Sequence, residues 1–298
     1  MMGFISFMVI TLLSKLTPFT LAQITVIDEH SPVSLVNTAL IVQGVFSLFV
    51  FLAPAGLFAY LAHPEPLPYL GLRAPGKKIQ LLLVILIMLG AIPVLEMIGG
   101  LISRINFGAD VKASQEANDQ MQNAFLNMPD FTSFLRVFII MAIVPALGEE
   151  MFFRGVLLRF AKKRMRSMVF PILFTALVFA AAHSNVYGLL SIFLAGILLA
   201  VIYNLTGSLW CSIVAHLVFN GSQIVLAYAG GNNATSKAMA DSSAVPYYLA
   251  AAGAVVFGIS FYFLLKNKTP LPTNWTDDFP PEEPTDGADG NWDFMAKS

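Results

Sequence analysis

The sequence predicts an all-α fold, a polytopic transmembrane helical bundle of seven to eight spans. Three observations predict it. Hydrophobic residues make up 57% of the 298 residues and charged residues only 12%, against roughly 25% charged in a soluble globular chain. Mean hydropathy is +0.73. The apolar residues also fall into runs near the ~20 residues needed to cross a bilayer. A formal net charge of −1 provides no basic field for nucleic acid. The single cysteine, Cys211, allows neither an internal disulfide nor a cysteine metal cluster.

The spans follow in order. Residues 35–61 carry no charge, and residues 79–101 carry only Glu96. Residues 132–158 hold Arg136, Glu149, Glu150 and Arg154. Residues 168–183 end at His183, and residues 187–205, 208–229 and 244–265 are uncharged apart from the titratable His216. Met1 to Leu13 is apolar too, but Lys15 and Pro18 follow it closely, so it is the eighth candidate span. Glu96 and Arg136 lie near the ends of their spans, where snorkelling to the interface accounts for them.

Charge orders the loops. Arg159, Lys162, Lys163, Arg164 and Arg166 crowd one connection; Arg73, Lys77 and Lys78 mark a second, and Lys266 and Lys268 follow the last span. The positive-inside rule places all three in the cytoplasm. The chain then divides into residues 1–131 (N-terminal helices and a polar loop), 132–230 (a core carrying the ionisable residues), 231–269 (the last span) and 270–298. Within the polar loop, Ser114 to Phe125 suits a short surface helix. The final segment holds five prolines and seven acids against Lys297 and reads as a disordered acidic tail. Short loops and this simple tail point to a bacterial inner membrane.

The core has residues that a bilayer resists, since an ionisable side chain at a helix centre costs about 2.5–3.5 kcal/mol. Glu150 and Arg154 are four apart and share a helix face, so they can pair. Glu149 lies about 100° round the helix and has no partner at that spacing. Phe179 and His183 share a face, separated by three alanines, and His216 and Asn220 share another. A carboxylate, two imidazoles and an amide on three neighbouring helices suit hydrolysis: a base for water, a group to orient it, and donors to a developing oxyanion. Glu149, His183 and His216 also match a catalytic zinc ligand set. The residues alone do not choose between these. Counted from Arg159, Met168 and Ser208 at 1.5 Å per residue, Glu149 lies about 15 Å deep, His216 about 12 Å and His183 about 22 Å, a mismatch in depth.

In this order, Glu149-Glu150 with Arg154, Phe179 with His183, and His216 with Asn220 resemble the motifs of the CAAX-protease and bacteriocin-processing family of intramembrane proteases, also called the Abi or type II CAAX endopeptidases. The resemblance covers roughly residues 132–230, with Leu70-Gly71-Leu72-Arg73 as a familiar lead-in. It implies an intramembrane endopeptidase acting on a membrane-associated protein or peptide. Glu149 would be the general base and His183 would sit beside the catalytic water. His216 and Asn220 would bind the oxyanion, and Glu150, Arg154 and Phe179 would support the site. Many members are called metalloproteases, and a metal-free glutamate mechanism is also argued. The absence of His-Glu-x-x-His inclines the reading to no metal; a divalent ion, zinc foremost, would use Glu149, His183 and His216. Two competing expectations remain: a proton- or ion-coupled transporter lined by the same residues, and a catalytically silent immunity or scaffold protein.

Overall fold

Two long helices carry the same irregularity for the same reason. Helix α1, Val33–Ala62, widens into a π-helical turn over Leu48–Leu52, two residues before Pro54. Helix α4, Phe131–Lys163, does so over Ile139–Ile143, two residues before Pro145. A proline ring clashes with the carbonyl four residues back and offers it no N–H. A widened turn accommodates both defects without breaking the helix. A third π-helical stretch in α4, Met151–Leu157, begins directly after Glu150.

The computed structural model describes residues 11–12, 15–165, 167–230, 245–272 and 275–276. The remaining long elements are α2 (Ile79–Ile102), α3 (Ala109–Phe125), α5 (Val169–Ala182), α6 (Leu189–Thr206), α7 (Leu209–Gly230) and α8 (Tyr247–Lys266). No strand occurs among the described residues. Six of these helices, α1, α2, α4, α6, α7 and α8, are long and apolar enough to cross a membrane, and α5 is a shorter apolar helix of 14 residues. At 1.5 Å per residue α5 reaches about 21 Å, short of a bilayer core of about 30 Å. The expected span at Met1 to Leu13 lies almost wholly outside the described residues. The surface helix expected from Ser114 is present as α3, beginning five residues earlier and buried only through Ala124 and Phe125.

Apolar side chains such as Phe170, Leu177, Val255 and Ile259 face outward, as a lipid-contacting surface requires. In lipid there is little hydrophobic drive between helices, so close van der Waals approach holds them. At the α2–α8 crossing, a Cβ on Gly90 would lie 2.6 Å from the Phe257 nitrogen, and one on Gly253 would lie 2.6 Å from the Gly90 carbonyl oxygen. At the α5–α6 crossing, Gly196 stands against Ala176 and Phe179.

The three basic segments gather at one end of the bundle, where the chain after α8 straps them together. The Gln80 amide donates to the Asn267 carbonyl and to Thr269 Oγ1, both at 2.8 Å, and Lys77 Nζ donates to Asn267 Oδ1 at 3.4 Å. The Thr269 N–H donates to the Leu205 carbonyl at 2.8 Å. Arg159 donates to the carbonyls of Tyr69 and Trp275, and its guanidinium lies 3.9 Å from the Tyr69 ring centre and 5.2 Å from that of Trp275. Leu271 and Trp275 pack on the core at this end. The expectation of a solvated tail from residue 270 is therefore corrected for its first residues. The partners of Trp275 are Arg159 and Tyr203, too distant in the chain to be seen in local composition. Residues 277–298, which carry the acids, lie outside the described residues.

Candidate active site

The strap also accounts for the mismatch in depth. The turn between α6 and α7 does not lie at the surface: Thr269 bonds to Leu205 and Thr206 beside it, and Ser208 Oγ donates to the Arg73 carbonyl at 2.6 Å. Helix α7 therefore begins below the strap. Measured from the observed helix ends, Glu149 is fourteen residues from Lys163 and His183 fourteen from Val169, about 21 Å in both cases.

The level at which the three helices meet holds two carboxylates with different surroundings. Glu150 is fully buried and fully partnered. Its Oε1 accepts from Arg154 at 2.5 Å and from His216 Nδ1 at 2.8 Å, and its Oε2 accepts from Ser212 Oγ at 2.5 Å. Arg154 also donates to the Gly196 carbonyl at 2.9 Å and stacks its guanidinium 4.7 Å from the centre of the Phe179 ring. The expected Glu150–Arg154 pair forms, and the glutamate's remaining lone pairs are taken by two more donors. A buried ion pair needs that full satisfaction to offset desolvation.

Glu149, one residue earlier, has the opposite environment. It is buried, yet its Oε2 has no hydrogen-bond partner among the described residues. That oxygen faces His216 Nε2 at 3.9 Å and His183 Nε2 at 4.0 Å. The protonation of both rings follows from what their other nitrogens touch. His183 Nδ1 lies 2.8 Å from the Phe179 carbonyl, which only accepts, so Nδ1 carries the proton and Nε2 is left facing the glutamate. His216 Nδ1 meets the Glu150 carboxylate and must likewise donate. The Phe179 ring lies 4.7 Å from the His183 ring and 5.8 Å from that of His216, holding both in place.

Glu149, His183 and His216 are thus brought together, and Glu150, Arg154 and Phe179 form the layer behind them. Asn220 lies one turn past His216 on the same face of α7, half-buried, with no side-chain hydrogen bond among the described residues. Exposure differs between the two histidines: the His183 side chain is 35% exposed and that of His216 is 3% exposed. Sequence reading missed Ser212 and the Gly196 carbonyl. Ser212 was detectable, since it continues the four-residue spacing of His216 and Asn220 along an apolar helix. The Gly196 carbonyl had no side-chain signal.

A water hydrogen-bonded at about 2.8 Å to both atoms of a pair separated by 3.9–4.0 Å subtends roughly 90°. Ligands of a tetrahedral zinc at about 2.1 Å stand only about 3.3–3.4 Å apart. Among the described residues no three His, Cys, Asp or Glu side chains form a metal-holding group. As placed, these residues fit a bridging water better than a bound zinc.

Residues 131–222 match the family model of the type II CAAX prenyl endopeptidases, Rce1-like. The match covers about a third of the chain. It contains Glu149, Glu150, Arg154, Phe179, His183, Gly196, Ser212, His216 and Asn220 and covers α4 to most of α7. No curated protein and no solved structure gives a significant match to the chain. The segment is similar to a protease domain of the CAAX endopeptidase type, and six of the chain's helices are long and apolar enough to cross a membrane.

Proposed function

We propose that the protein is an intramembrane endopeptidase that cleaves a membrane-associated protein or peptide with Glu149 as general base. The observation that carries this reading is the contrast between adjacent carboxylates: Glu150 bonded on both oxygens, Glu149 buried, its Oε2 without a hydrogen bond among the described residues and faced by two imidazole nitrogens. Leaving a buried acceptor unsatisfied costs about 1–3 kcal/mol, more for a charge. A structural residue gains nothing from that, whereas a base awaiting water does.

In this mechanism a water gives one hydrogen bond to Glu149 Oε2 and another to His183 Nε2. Glu149 takes the proton as the water oxygen bonds to the scissile carbonyl carbon. The resulting oxyanion accepts from His216 Nε2–H and from the Asn220 amide. Glu150, accepting from Nδ1–H, fixes the ring with Nε2 towards the site. Collapse of the tetrahedral intermediate breaks the C–N bond, and Glu149 returns its proton to the leaving amine. The basic end of the bundle is the cytoplasmic end by the positive-inside rule.

The test is cleavage of a membrane-embedded peptide by the purified protein in liposomes. Glu149→Ala is expected to abolish turnover while the protein still inserts and elutes as the parent does. Turnover retained in that variant removes Glu149 from the chemistry. Ion flux without any peptide cleavage by the parent protein replaces the protease reading with transport.

A further inference from the structure

The face of α7 that carries His216 does not stop at Asn220. Ser212, His216, Asn220 and Gln223 are spaced four, four and three residues apart, so they form one polar stripe on an otherwise apolar helix. Exposure rises along it: His216 is buried, Asn220 half-buried and Gln223 exposed. The stripe therefore leads outward from the catalytic level. At its outer end the Gln223 amide donates to Glu96 Oε1 at 3.1 Å. Helix α2 borders this end on one side, where the Leu95 carbonyl accepts from Ser191 Oγ at 2.9 Å. Helix α4 borders it on the other, with the Phe138 ring against Gly221.

Sequence reading attributed Glu96 to snorkelling. The structure gives it a specific partner, but an uncharged one. Glu96 sits in a 24-residue span of mean hydropathy 2.7, where an acid is costly. Among the described residues it makes no ion pair. The neutral amide satisfies one of its lone pairs and leaves the others open to a donor from a cationic group.

Resting on the protease reading, we infer that Glu96 and Gln223 form a distal substrate subsite that takes a cationic side chain of the peptide. Register follows from geometry. Gln223 is seven residues beyond His216, about 10 Å along the helix. An extended peptide advances about 3.3 Å per residue, so the residue read by Glu96 lies about three positions from the cleaved bond.

The experiment uses the full-length protein in liposomes of uncharged lipid. Two sets of membrane peptides carry Lys, Gln or Glu three residues before or three residues after the cleaved bond. The parent protein is expected to favour Lys over Glu in one set by about tenfold in kcat/KM, the scale of one charged hydrogen bond. Glu96→Gln should collapse that ratio towards one, and Glu96→Lys should invert it. Inversion is a gain on the Glu peptide, which a misfolded variant does not produce. A Lys-to-Glu ratio that Glu96→Gln leaves in place, with cleavage still abolished by Glu149→Ala, overturns the subsite and spares the protease reading. A parent protein that cleaves none of the peptides overturns both.

Discussion

His216 lies between two glutamates, its Nδ1 2.8 Å from Glu150 and its Nε2 3.9 Å from Glu149. One imidazole thus joins a carboxylate bonded on both oxygens to a neighbour whose Oε2 has no hydrogen bond among the described residues. The division of labour between two adjacent identical residues has consequences for stability as well as for activity.

Glu150→Ala should destabilise the protein by about 3–5 kcal/mol, because it strands a fully buried Arg154 without its counter-charge. Glu149→Gln should be neutral or stabilising, since it replaces an unbonded buried carboxylate with a neutral amide. Denaturation of the two variants in the same detergent checks this. Equal losses would mean that both glutamates are structural.

Ser212→Ala removes one of three donors to Glu150. The expected cost is about 1.5–3 kcal/mol in stability, the value of a hydrogen bond to a charged group. Turnover should also fall, because Glu150 orients His216. Thermal unfolding and kcat measured on one preparation test the two effects together. A fall in neither would show that the hydroxyl serves the Leu199 carbonyl, its other neighbour at 3.0 Å, and not Glu150.

Peptide cleavage should survive prolonged chelation followed by gel filtration. The basis is the spacing of 3.9–4.0 Å around Glu149 Oε2, which suits a bridging water. Loss of activity on chelation, restored by added zinc, would reverse that assignment and make Glu149, His183 and His216 ligands.

Gly90→Ala should weaken the α2–α8 contact by about 1–3 kcal/mol, as overpacking does. The added methyl would meet the backbone of Phe257 and Gly253 at 2.6 and 2.7 Å, and backbone cannot rotate away. Gly258→Ala on α8 is the control, because nothing lies within 4 Å of its Cβ position. Comparable melting temperatures for the two variants would contradict the crossing described above.

What was legible in the sequence was whatever local spacing encodes. Apolar runs of bilayer length are visible residue by residue, and so α1, α2, α4, α6, α7 and α8 were anticipated. Spacings of four place side chains on one helix face, which revealed the Glu150–Arg154 pair and the stripe through His216. Chain order alone could not say which glutamate would be partnered from other helices. That depended on Ser212 and His216 arriving from α7, sixty-two and sixty-six residues away. The depth of α7 was hidden for the same reason: it is set by Thr269 on Leu205 and Thr206 and by Ser208 on the Arg73 carbonyl, contacts between segments far apart in the chain. Hydropathy and periodicity are properties of a segment. An unbonded oxygen is a property of everything around it, so only the packed bundle determined that Glu149 Oε2, faced by two imidazoles, has no hydrogen bond among the described residues.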